Sequence, residues 1–97
     1  MNAIRSLQRK CGGDPILNAA FDEVVVWALR SRIAEVELVL LKLSKSEDNK
    51  KIQDATRDYL NSRAIFRGEA VRLRKLCRPL NIDVPPLARD EVCNAFA

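Results

Sequence analysis

The sequence predicts an all-α fold: a long antiparallel helical hairpin with short terminal helices, dimerising into an elongated four-helix bundle. Three observations carry this. No glycine or proline falls between Pro15 and Gly68. Apolar residues in that interval recur at helical spacing, with no strand alternation. The first half of the interval carries two apolar rows, and a hairpin mate can cover only one of them.

Taken in order, residues 2–10 read as a short helix with Ile4 and Leu7 on one side, stopped by the glycines of "CGG". Asp14 is a good N-cap, and Pro15 suits the first helical position, where no backbone donor is needed. A long helix follows over about 15–44. The break falls in "SKSEDNKK", residues 44–51. Ser44 with Glu47 has the capping-box form there, and Ser46 with Asn49 is the alternative restart. A second long helix covers about 47–78 and ends at Pro79, which lacks the donor and clashes with the preceding turn. The tail reads as a strap with a short helix over about 86–95, docked through Val92 and Phe96. No internal repeat or low-complexity segment is read, and residues 1–97 form a single domain.

Within the first long helix, Val26, Leu29, Ile33, Val36, Leu40 and Leu43 follow a 3-4-3-4-3 spacing. This row is expected to form the core against the second helix. A second row, Ala20, Trp27, Ala34, Leu38 and Leu41, lies more than about 100° round the cylinder and is assigned to the dimer seam. On the second helix, Ile52, Ala55, Tyr59, Phe66, Ala70, Leu73 and Cys77 share one face. Each long helix spans about 45 Å.

Of 97 residues, 47% are apolar and 31% charged, a composition that folds and stays in solution. "MNAIRSLQRK" has no apolar signal core, and "VVVWAL" is too short to span a bilayer. No membrane association and a cytoplasmic location are therefore expected. The three cysteines are odd in number, form no CxxC and have no histidine beside them. They read as free thiols, with no metal site and no cofactor. The helical carboxylates, such as Asp54 and Asp58, lack the histidines that a di-metal site would need.

The net charge of +4 is concentrated in one place. From Arg57 to Arg78 there are seven basic residues and two acids. Arg63, Arg67, Arg74 and Arg78 fall within about 60° of one another on the wheel, and Arg57 and Lys75 flank them. Such a row can follow a phosphate backbone, to which arginine adds bidentate contacts. Ala64 and Gly68, one turn apart, form a shallow notch that admits close backbone approach. The few aromatics, Phe21, Trp27, Tyr59 and Phe66 among them, are assigned to the core, which favours a duplex over single strands. The expected partner is double-stranded nucleic acid, RNA for preference, since A-form duplexes are recognised by shape. An acidic protein surface is the alternative, in an oligomeric adaptor, chaperone or inhibitor.

Two stretches resemble known families. "LRSRIAEVELVLLKLSK", residues 29–45, resembles the long first helix of small all-helical chorismate mutases. That likeness would give Arg30 or Arg32 a role in a dicarboxylate pocket, but the later polar residues of such a site find no match. "KKIQDATRDYLNSRAIFRGEAVRLRKL", residues 50–76, is similar in charge and periodicity to the second long helix of the small RNA-silencing suppressors of insect nodaviruses. The likeness is one of plan and covers roughly residues 15–80. It implies a non-enzymatic viral homodimer that binds double-stranded RNA without regard to sequence.

Overall fold

A computed structural model describes residues 2–44 and 47–96. Helix α1 (Ala3–Cys11) is followed by two long helices, α2 (Pro15–Leu43) and α3 (Asn49–Cys77), which pack along one another. A 3₁₀ turn over Arg78–Leu80 follows α3, and an extended strap leads to α4 (Arg89–Ala95). No strand occurs among the described residues.

Helix starts follow side-chain chemistry. The Asn2 side chain accepts from the Ile4 amide at 2.7 Å, and Asp14 accepts from Ile16 at 2.8 Å with Pro15 at the first helical position. The restart after the break differs from the capping-box expectation. Asp48 is the N-cap of α3, accepting from the Lys51 amide at 3.2 Å. Ser44 instead closes α2, its hydroxyl donating to the Leu41 carbonyl at 2.9 Å. Ser46 lies outside the described residues.

The end of α3 is built around Pro79 and Asn81. Asn81 takes a left-handed conformation with φ of 55°. The Ile82 amide then donates to Cys77 at 3.3 Å and the Asn81 amide to Arg78 at 3.1 Å. These are the two bonds of a Schellman cap, with asparagine in place of the usual glycine.

The core sits at one end. Ile4, Leu7 and Cys11 of α1, Leu17, Phe21 and Val24 of α2, Leu73 and Cys77 of α3, and Val92 and Cys93 of α4 are all buried there. The Cys11 and Cys77 thiols are neighbours there. Burial first, then Cys77 and Asp14, push the Cys11 thiol up to about 11. It therefore stays protonated and unreactive at neutral pH. Phe96 packs edge-on against Phe21 at 5.9 Å between ring centroids, under the Arg5 guanidinium at 4.6 Å. The strap thus docks through Val92 and Phe96, as its sequence suggested. A latch that the sequence did not reveal holds it as well. Arg89 pairs with Glu35 and lies 3.4 Å from the Ser31 hydroxyl, while Arg32 donates to Asn94 at 3.2 Å.

Beyond this broad end the molecule narrows to two helices. On α2 only Leu38 is buried after Ser31, and no described residue of α3 before Ser62 is buried. The extents are 51 × 24 × 19 Å and the radius of gyration is 15.6 Å. A compact chain of this length has about 12.5 Å.

The two rows of α2 exchange the places expected of them. Leu38 and Ala20 are buried, and Trp27, Ala34 and Leu41 are half-buried, all on the inward side. The row read as core points outward: Val26 is 39% exposed, Leu29 38%, Ile33 59%, Val36 50%, Leu40 59% and Leu43 73%. The inward face must meet α1, α3 and α4 together. Ala20, Ala28, Ser31 and Ala34 let those elements come close, whereas the continuous branched row would hold them apart.

Candidate nucleic-acid interface

The basic residues of α3 are positioned by the same packing that buries its other face. Ser62, Phe66, Ala70, Leu73 and Cys77 point into the broad end. Arg63, Arg67, Arg74 and, where α3 passes into the 3₁₀ turn, Arg78 lie along the solvent side bordering that buried face, and Lys75 lies farther round toward the opposite side. All five are exposed. Among the described residues none of the five has a carboxylate within ion-pair distance. Arg57, by contrast, is tied to Asp54 one turn back, and Arg72 lies 3.7 Å from Glu69. Arg57 is thus the member of the expected set whose charge is already partly answered.

Ala64 and Gly68 are exposed on this side as well. A Cβ added at Gly68 would meet nothing within 4 Å. The notch is open to solvent, and no part of the fold itself needs the missing side chain.

Two further residues belong to the face and were missed. Leu60 and Val71 are 54% and 46% exposed, in line with the arginines. They reveal a repeat. "LNSRAIFR" from residue 60 and "VRLRKLCR" from residue 71 share one pattern, with Leu60 matched by Val71, Arg63 by Arg74 and Arg67 by Arg78. Eleven residues make just over three full turns, so each pair lies nearly on one straight line about 16 Å apart. The signal was legible, but an offset of 11 hides among ordinary helical spacings.

No aromatic side chain is exposed. Phe21 and Phe66 are buried, and Trp27, Tyr59 and Phe96 are half-buried. The surface offers charge and aliphatic contact, with no platform for an unpaired base.

A groove of about 300 Å³ opens between α2 and α3 on another side, beside Trp27, Arg30, Glu37 and Asp58. Arg30 stacks on Trp27 at 4.8 Å, while Arg32 turns toward α4. The two arginines singled out by the enzyme resemblance thus serve different surroundings. A dicarboxylate in the groove would meet two carboxylates. Among the described residues no group of three or more His, Cys, Asp or Glu side chains is placed to hold a metal ion. No helix among them is long and apolar enough to cross a membrane.

The features define an all-helical protein with one long basic face. The chain matches no protein-family model, no curated protein and no solved structure.

Proposed function

We propose that this protein binds double-stranded nucleic acid, RNA for preference, through the outward face of α3, as a homodimer of antiparallel hairpins and without catalysis. The observation that carries the reading is the exposed row Arg63, Arg67, Arg74, Lys75 and Arg78, free of ion pairs among the described residues and repeated at 11-residue spacing. Unanswered charge on a rigid helix is poised to displace counterions from a polyanion. The straight line of the row suits regularly spaced phosphates, and Leu60 and Val71 suit sugar surfaces. A-form duplexes present both across a wide, shallow minor groove. The absence of an exposed aromatic favours a duplex over a single strand. Contacts of this kind carry no sequence information, so binding is expected to be indifferent to sequence, as in a suppressor of RNA silencing.

The test is a salt titration of binding to duplex RNA, duplex DNA and single strands. Affinity is expected to fall steeply with salt. Arg67→Ala with Arg74→Ala is expected to reduce the logarithmic slope by about two. No binding at low salt, or an unchanged slope in the double variant, would overturn the reading.

A second reading is favoured by a different observation, the outward apolar row of α2. In an oligomeric adaptor, chaperone or inhibitor that row would receive a foreign helix, and the basic face would meet an acidic surface. A chain that stays monomeric and binds no duplex supports this reading.

A further inference from the structure

We infer that the outward row of α2 is the dimer seam, and that a second copy of this chain docks on it antiparallel about a two-fold axis between Ile33 and Val36. This rests on the homodimer proposed above and gives it a face, a register and a charge pair.

The row is unusually demanding. An 11.0 kDa chain exposes about 5,600 Å² when compact. This chain exposes 6531 Å², an excess on the order of 900 Å². A stable interface removes about 800 Å² from each partner. Of the eleven exposed large apolar residues among those described, seven stand on this side: Val26, Leu29, Ile33, Val36, Leu40 and Leu43 in a line, with Val39 beside them. Neither α1 nor α4 reaches this side, because both pack on the opposite face.

The spacing is self-complementary. In a heptad frame Val26, Ile33 and Leu40 take the a positions, and Leu29, Val36 and Leu43 take the d positions. Antiparallel pairing about the centre sets Val26 against Leu43, Leu29 against Leu40 and Ile33 against Val36, so every a meets a d. The same register brings Arg30 of one copy beside Glu37 of the other, and symmetry makes the pair twice. Both residues flank the row, and neither has a carboxylate or cationic ion-pair partner within the described chain.

Shape selects this direction over the parallel one. α4 and the strap widen the molecule beside the first half of α2, where Arg32 is already engaged with Asn94. Antiparallel docking lays the broad end of one copy along the narrow end of the other. Parallel docking would press two broad ends together and leave two narrow ends bare. Opposed helix dipoles favour the same choice.

The experiment combines sedimentation with thiol crosslinking on the full chain. The native cysteines are all buried, so the unmodified chain serves as the unlinked control. Sedimentation velocity over about 1–100 μM is expected to show a dimer. With a short bismaleimide, Ile33→Cys is expected to link to itself. Val26→Cys and Leu43→Cys are each expected to stay unlinked alone and to link when mixed. Arg30→Glu or Glu37→Arg alone is expected to weaken the dimer about tenfold or more by setting like charges together, and the double swap to restore it. A monomer throughout that range, self-linking at Val26, or no rescue by the double swap would overturn the inference. A dimer of this register that binds no duplex defeats the functional proposal alone. A monomer that binds duplex defeats the seam and the homodimer and leaves duplex binding through α3 standing.

Discussion

The two ends of the molecule are built from the same two helices and are finished to different degrees. At the broad end α2 and α3 share a closed core with α1 and α4, where Phe21, Leu73 and Val92 are almost wholly removed from water. At the narrow end the same helices run on alone, with Ile33, Val36, Leu40, Leu43 and Leu60 more than half exposed or close to it. Helix propensity is ample at both ends, so local structure is not the difference. The difference is the number of surfaces available to cover α2. A helix that is apolar all round needs neighbours all round. One chain supplies them over half its length, and this is why we assign the remainder to a second copy.

Equal truncations at the two ends give the largest expected contrast. Leu73→Ala removes a side chain with no exposure and is expected to cost about 2–5 kcal/mol of stability. The loss should be independent of protein concentration. Leu40→Ala is expected to change the monomer by less than about 0.5 kcal/mol, because the side chain is exposed there. Its effect should appear in the dimer and grow on dilution. Urea denaturation at two protein concentrations separates the cases. A Leu40 effect that ignores concentration would mean that the narrow end is closed within one chain.

The latch at the edge of the broad end comes next. Arg89 is 17% exposed at its side chain and Glu35 is 39% exposed. Arg89→Ala leaves Glu35 and Ser31 without their partner and is expected to cost about 1–3 kcal/mol, discounted for the solvent around Glu35. The Arg89 hydrogen bond is the chief cause that holds the Glu35 carboxyl below its ordinary value. Its contribution to stability is therefore complete above the unfolded carboxyl pKa of about 4.3 and is lost as pH falls through the lower folded value. Glu35→Gln should flatten that part of the acid limb, measured by thermal unfolding between about pH 2 and 6.

The same contrast explains what the sequence made legible. The helix start at Asp14, the stop at Pro79 and the docking of Val92 and Phe96 follow from local chemistry, and local chemistry is written in adjacent residues. The basic face of α3 was also readable, because one apolar stripe fixes which side of that helix turns out. α2 gives no such fix. Its two apolar rows are equivalent to a helical wheel, and the choice between them depends on which side α1 and α4 approach. That information lies in the small residues Ala20, Ala28 and Ser31, whose value is the room they leave. The Arg89–Glu35 latch joins residues 54 apart and had no signature in either neighbourhood.

The smallest expected effect bears most directly on function. Gly68 lies mid-helix on the exposed side of α3, with nothing near the position of an added Cβ. Gly68→Ala should therefore stabilise the protein by up to about 1 kcal/mol, since alanine restricts the unfolded chain and nothing in the single chain resists the methyl group. If Ala64 and Gly68 form a notch into which a phosphate or sugar settles, the same methyl group should weaken duplex binding while the thermal midpoint rises. Stability and affinity would then move in opposite directions, which a damaged fold does not produce, and Gly68→Ala alters no charge. A stabilised variant with undiminished affinity would reduce Gly68 to a tolerated surface glycine and confine recognition to the arginine row.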